Sequence, residues 1–234
     1  MAVVTGASSG IGRAIASDLA AKGADLCLVG RNLHKLDDLS ASLQTHSNRV
    51  QRYQVDMSLD GDIEQLRKCI EKDFGCLHIL IHSAGVISLG PVESARISDF
   101  DRQYRINVRA PSLLTQALLP LLKIHKGQIV FINSSVGLIS KKNNSQYAAT
   151  KHALKAFTDS LRDEVNQMGI RVLSVYPGRT ATPMQEMIFG WEGKDYPQER
   201  LLQPQDVAAV VSHSLSLPRT AEVTDISIRP MEKV

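Results

Sequence analysis

The N-terminal stretch Ala2 to Gly12 constrains the chain most. Ala2-Val3-Val4-Thr5 is an apolar, β-prone run that stops at Gly6, and Ala7-Ser8-Ser9-Gly10-Ile11-Gly12 restarts it as a helix. A strand that leaves through glycines into a helix N-terminus aims unpaired backbone amides and the positive end of the helix dipole at one point. Gly6 can take a backbone conformation closed to other residues, Gly10 has no side chain to hold a phosphate off the amides, and Gly12 lets the helix approach the strand. Gly6, Ser8, Ser9, Gly10, Ile11 and Gly12 are therefore the expected nucleotide cradle. The spacing is Gly-x-x-x-Gly-x-Gly rather than the commoner Gly-x-Gly-x-x-Gly, so a glycine-rich turn with no ligand is the alternative on these residues alone.

The following residues supply the context. Ile11, Ile15 and Leu19 recur at helical spacing before Gly23, a C-terminal cap; residues 24–29 read as a second strand; Leu33, Leu36, Leu39 and Leu43 read as a second helix. That is a βαβ unit. Further strands are expected over residues 50–55, 77–82, 127–132, 170–176 and 223–228. Helices are expected from Ser58 as N-cap to about residue 74, over 98–122, 145–167 and 205–217. Within 98–122, Asn107 and Pro111 predict a local irregularity, since one competes for backbone hydrogen bonds and the other removes a donor. Strict alternation predicts an α/β, single-domain Rossmann fold, a doubly wound seven-stranded parallel sheet with helices on both faces. The polar exits at 6–12, 83–85, 133–137 and 177–182 all follow strands, which is the ligand-binding edge of such a sheet. Residues 183–203 break the rhythm: Met184, Met187, Ile188, Phe189 and Trp191 mix with Gly190, Gly193 and Pro197, which reads as a short flexible helix and loop forming a mobile, mostly apolar cover over that edge, with a surface loop carrying scattered apolar residues as the alternative.

Composition narrows the function by exclusion. The 234 residues are 43% hydrophobic, enough for one core and one dinucleotide-binding and catalytic domain over residues 1–234. Lys and Arg exceed Asp and Glu by 27 to 24, and the charge is dispersed, so neither nucleic acid nor a membrane is an expected partner. The longest apolar runs, such as Ile129 to Ile132, are too short to cross a bilayer. A strand beginning at Met1 leaves no room for a secretory leader, so a cytoplasmic location is expected. Cys27, Cys69 and Cys76 have no metal or redox spacing, and His78 and His82 alternate on a strand without ligand-spaced partners; free thiols and no metal are expected.

Three positions point to chemistry. At the end of the second strand, Gly30-Arg31-Asn32 carries a guanidinium and no acid; an acid there would bond the ribose hydroxyls of NAD, whereas Arg31 suits a ribose phosphate and predicts NADP(H). A solvated loop charge is the other reading of Arg31. Asp56, after the third strand, faces adenine or caps a turn. Tyr147 and Lys151 lie four apart in a helix and project from one face, where an ammonium would favour the phenolate and bring the phenol within range of proton transfer. Ser134, at a strand exit on the same edge, can donate to a substrate carbonyl oxygen.

Taken jointly, Thr5-Gly6-x-x-x-Gly10-Ile11-Gly12, Asp56, Ala84-Gly85, Asn107, Ser134, Tyr147-x-x-x-Lys151 and Pro177-Gly178 with Thr182 resemble the short-chain dehydrogenase/reductase family across nearly the whole chain. The resemblance implies that Tyr147 is the acid/base, that Lys151 holds the nicotinamide ribose, that Ser134 orients the substrate oxygen and that Asn107 holds a water relaying protons from Lys151. It implies cofactor contacts from Ala84, Gly85, Pro177, Gly178 and Thr182 in addition to the glycine turn, Arg31 and Asp56, with a small carbonyl compound or alcohol as substrate. It also implies a homodimer or homotetramer built on the helices around 100–122 and 145–167. One departure is His82-Ser83-Ala84-Gly85, where the family commonly has Asn-Asn-Ala-Gly. A catalytically idle dinucleotide-binding protein is the alternative function, and the complete set Asn107, Ser134, Tyr147, Lys151 argues against it.

Overall fold

Alternating side chains on short Val-, Ile- and Leu-rich runs let a strand bury both its faces. The computed structural model, which describes residues 1–43 and 49–232, folds seven such runs into one sheet. They are β1 (Ala2–Thr5), β2 (Leu26–Gly30), β3 (Val50–Gln54), β4 (Ile79–His82), β5 (Gln128–Ile132), β6 (Arg171–Pro177) and β7 (Asp225–Ile228). All neighbours are parallel, in the order β3-β2-β1-β4-β5-β6-β7. The helices are α1 (Gly10–Ala21), α2 (Leu33–Leu43), α3 (Asp60–Asp73), α4 (Ile97–Tyr104), α5 (Ala110–Ile124), α6 (Ser145–Val165), α7 (Pro183–Trp191) and α8 (Pro204–Ser216).

The period of two along each strand sorts the core into two layers. Val4, Leu28, Ile81, Val130 and Val175 face α1, α2 and α8 through Ile15, Leu36 and Val211. Their neighbours Val3, Cys27, Val29, Leu80 and Phe131 face α3, α5 and α6 through Leu66, Leu118 and Leu154. This is the expected doubly wound Rossmann arrangement. The chain builds outward from β1 to β3 and then returns to the far side of β1 as β4, so the strand order reverses between β1 and β4. Their carboxyl ends open a crevice there.

One expectation is corrected locally, and another is borne out in a definite form. Ser58 is not the cap of α3: its N–H and hydroxyl both donate to Asp56 Oδ1, at 2.9 and 2.8 Å, and α3 starts after Leu59. The carboxylate of Asp56 thus closes its own turn, while Asp60 and Asp62 supply the negative charge at the helix start. The predicted helix over 98–122 is α4 and α5 joined by a π-helical turn, Arg105–Arg109. Pro111 falls in the first turn of α5, where a missing N–H costs least, but an α-helical bond to the Asn107 carbonyl would need that N–H. The irregularity expected around 107–111 is therefore a π turn centred on Asn107.

Candidate active site

The turn after β1 is built on contacts that only glycine permits. Gly6 has φ +67°, and a Cβ there would lie 2.8 Å from the Ala84 N; a Cβ at Gly12 would lie 2.4 Å from the Gly6 carbonyl oxygen. The exits of β1 and β4 are held together by Thr5, whose Oγ1 donates to the Ile81 carbonyl at 3.2 Å and accepts from the N–H groups of Ser83 and Ala84 at 3.0 and 3.2 Å. Above this pair lies a cleft of about 890 Å³.

Most of the residues singled out in the sequence line it. Gly6, Ser8, Ser9, Gly10 and Ile11 form its floor at β1, Arg31 and Asp56 one end, Ala84 and Gly85 the β4 wall, and Ser134, Tyr147 and Lys151 the β5–α6 wall. Pro177, Gly178 and Thr182 close it from β6. Gly12 and Asn107 do not line the cleft. Gly12 stands behind Gly6, and Asn107 behind Gly85, where its Oδ1 accepts from Val86 N–H at 2.9 Å and its amide donates to the Val86 carbonyl at 2.9 Å and to Thr150 Oγ1 at 3.1 Å. Both amide hydrogens of Asn107 are thereby engaged, one of them by Thr150 on α6. Thr182 Oγ1 accepts from Gln185 N–H at 3.2 Å and so caps α7.

On α6, Tyr147 and Lys151 are buried together, with the ammonium 5.8 Å from the centre of the phenol ring. Ser134 lies beside the phenol, and Lys151 Nζ donates to the Ile132 carbonyl at 3.1 Å, tying α6 to the end of β5. Burial pushes the Tyr147 phenol up to about 12, opposed by the Ser134 hydroxyl. Burial also pushes Lys151 down to about 8. The sequence expectation that the ammonium would lower the phenol is corrected here: Lys151 points at a carbonyl and desolvation of both groups outweighs their attraction. The Asp56 carboxyl is held below its ordinary value, chiefly because it accepts from the Ser58 N–H and with help from Arg31 and Arg102.

The position of the departure from the family pattern, His82, is buried and filled without strain. Its Nε2 meets Thr115 Oγ1 at 2.8 Å and its ring stacks on Phe131 at 4.7 Å between centroids. Burial pushes this imidazole down to about 3, so it is neutral at physiological pH.

Sequence reasoning missed several residues of the cleft. Lys35 lines it beside Arg31, because Asn32 Oδ1 accepts from the Lys35 N–H at 3.0 Å and starts α2 under the end of β2. The signal was an i, i+4 pair of cations flanking an N-cap asparagine. Lys141, Lys142, Arg179 and Gln185 also line it. Of the five apolar side chains expected in the cover, Met184, Ile188 and Trp191 line the cleft. Met187 faces solvent, and Phe189 is buried against Tyr196 and beneath the Arg179 guanidinium, 4.6 Å from its ring.

Residues 1–193 match the family described as short chain dehydrogenase. An uncharacterized oxidoreductase of Staphylococcus epidermidis is 35% identical over 99% of this chain and 97% of its own length. Among solved structures, an alcohol dehydrogenase from Thermococcus sibiricus complexed with 5-hydroxy-NADP has a TM-score of 0.89 and 26% identity, covering 100% of this chain and 97% of that one. A 3-ketoacyl-(acyl-carrier-protein) reductase from Brucella melitensis complexed with NADH has a TM-score of 0.87 and 25% identity over 97% of this chain and 95% of that one. The chain belongs to the short-chain dehydrogenase family. Among the described residues no helix is long and apolar enough to cross a membrane.

Proposed function

We propose that this protein is an NADP(H)-dependent oxidoreductase that interconverts a carbonyl compound and its alcohol, with Tyr147 as the acid/base. The observation that carries the reading is the burial of Tyr147 and Lys151 together, with Ser134 beside them, on the wall of the cleft that the glycine turn opens. Membership of a dehydrogenase family supports hydride transfer with a dinucleotide.

The residues fit such a cofactor. Gly6, Gly10 and Gly12 keep the space above the α1 N-terminus clear of side chains, as a pyrophosphate requires. Arg31 and Lys35 put two cations at the end of β2 with no acid beside them on that strand exit, which suits the additional phosphate of NADP; the NADH-bound relative makes this a question for the residues of this chain, not for the fold. When bound, NADP(H) supplies or accepts the hydride.

The chain's own groups then handle the oxygen. A phenol held neutral by burial is a hydrogen-bond donor aimed at a carbonyl oxygen, and it can release its proton as negative charge grows there. Ser134 supplies a second donor. Lys151, charged below about pH 8, lowers the cost of the phenolate left on Tyr147. The proton returns through Lys151 and a water held by the Asn107 main-chain carbonyl, a role suggested by the missing N–H of Pro111. The segment 183–203 covers the substrate. Family resemblance further suggests a homodimer or homotetramer on the 100–122 and 145–167 helices, and three unbridged cysteines support a reducing, cytoplasmic setting. The test is purified protein with NADPH and a broad panel of ketones and aldehydes, followed by nicotinamide absorbance. Turnover of at least one carbonyl supports the reading; tight NADPH binding without turnover of any returns the protein to the idle-binder class.

A further inference from the structure

The segment beyond β6 is closed at its base. Thr180 and Leu202 form a parallel bridge, the Ala181 N–H donates to the Leu202 carbonyl at 2.7 Å, and the Leu202 N–H donates to the Arg179 carbonyl at 3.1 Å. The Gly178 N–H donates in turn to the Ile228 carbonyl at 2.7 Å, so this base is continuous with the sheet. Residues 183–200 extend from it as one lobe, and α7 is the part of the lobe that faces the cleft, through Met184, Gln185, Ile188 and Trp191.

The far end of α7 is tied back to that base. Glu192 is the C-cap of the helix, where a carboxylate meets the negative end of the helix dipole and needs cations to hold it. It has two, Arg179 Nη2 at 2.6 Å and Lys194 Nζ at 3.1 Å. Lys194 belongs to the lobe itself, so Arg179 is the cation that links Glu192 to the base. The same guanidinium covers the Phe189 ring, 4.6 Å from its centre, and Phe189 packs edge-on against Tyr196. The Arg179 and Glu192 side chains are only 30% and 26% exposed, so water and salt screen this pair less than a surface pair. Among the described residues, the other ion pair that leaves residues 183–203 is Arg200 with Glu232, between exposed side chains beside the base.

We propose that Arg179 and Glu192 are positioning residues that latch the lobe over the cleft. The pair forms when α7 lies over the substrate and parts when the lobe swings away about the base at 179–181 and 201–202. Trp191 precedes Glu192 and lines the cleft, so it moves with the latch. The pair acts through α7, holding the apolar wall of Ile188 and Trp191 against a bound substrate. This rests on the oxidoreductase reading and specifies what closes its site.

Trp191 is the single tryptophan of the chain, so its fluorescence reports the lobe without turnover. In NADP⁺-loaded protein, Arg179→Gln and Glu192→Gln should each raise the acrylamide quenching constant of Trp191 by roughly 1.5-fold, through a larger open population. Arg179→Lys, which keeps the charge, should stay near the parent. With the best carbonyl substrate, KM should rise about three- to fivefold in the two glutamine variants, while kcat and the NADPH dissociation constant change by less than about twofold. In the Arg179→Gln background, Glu192→Gln should add nothing further to either readout, because one contact is removed twice. Lys194→Gln breaks only the pair inside the lobe and should leave both readouts near the parent. Quenching equal to the parent in both single glutamine variants, or effects that add in the double variant, overturns the latch. If no carbonyl turns over, the oxidoreductase reading fails by itself, and the quenching comparison still decides the latch.

Discussion

Arg31 and Lys151 show how differently single residues can be read. The absence of an acid at Arg31 is visible in the letters alone, and the structure adds Lys35 at the same end of the cleft. Arg31→Glu replaces a counter-charge with a like charge, so it should weaken NADPH much more than NADH. Equal changes in the two dissociation constants would remove Arg31 from cofactor choice. Lys151 was legible as a partner of Tyr147 from their spacing, but its environment was not, because burial depends on how β5 and α6 pack. With its ammonium pushed down to about 8, kcat for carbonyl reduction should fall as pH rises through about 8, and this limb should vanish in Lys151→Ala. A flat profile across that range contradicts the role. His82 carries a stability consequence instead. Its folded pKa, about 3, lies below the unfolded value, so the unfolded chain takes up the proton first; the contribution is complete above about pH 6.5 and is lost as pH falls towards 3. The slope for this one proton is about 1.4 kcal/mol per pH unit. Urea midpoints of His82→Asn should therefore decline less steeply than those of the parent between pH 6 and 5; equal slopes would contradict it.

Among the elements, those with a strong period were legible and those defined by turns were not. The strands and the helices α1, α2 and α6 follow apolar repeats, and their ends shift only where a side chain finds a better partner, as Ser58 does in Asp56. The π turn at Arg105–Arg109 was legible as an irregularity because Asn107 and Pro111 announce one, though its form depends on the bonds from Asn107 to Val86 and Thr150. The segment 183–203 was legible as a short helix and loop, which α7 bears out, but not its tie to the β6 exit through Arg179 and Glu192. The proposal that it closes over substrate predicts that cleavage by a nonspecific protease within residues 184–200 slows when NADPH and substrate are both present. A cleavage rate indifferent to both would make it an ordinary surface segment.

At the scale of the whole molecule, the parallel sheet is what makes scattered motifs a site. Residues as far apart in sequence as Gly6, Ser134 and Thr182 meet because every strand points its carboxyl end at the same edge, and the order reversal between β1 and β4 opens that edge. The sequence shows this through its regular alternation. It does not show that Lys141, Lys142 and Arg179 line the same cleft, since they lie in separate loops whose placement is a tertiary fact. The central claim, that Tyr147 exchanges the proton at a carbonyl oxygen while the rest of the cleft binds the dinucleotide, is tested most directly by Tyr147→Phe. That change keeps the ring and its packing and removes only the hydroxyl. Measured on the same preparation, the dissociation constant for NADPH should stay near that of the parent while kcat on the best carbonyl substrate falls by roughly a hundredfold or more. Full activity in a folded Tyr147→Phe protein would contradict the account.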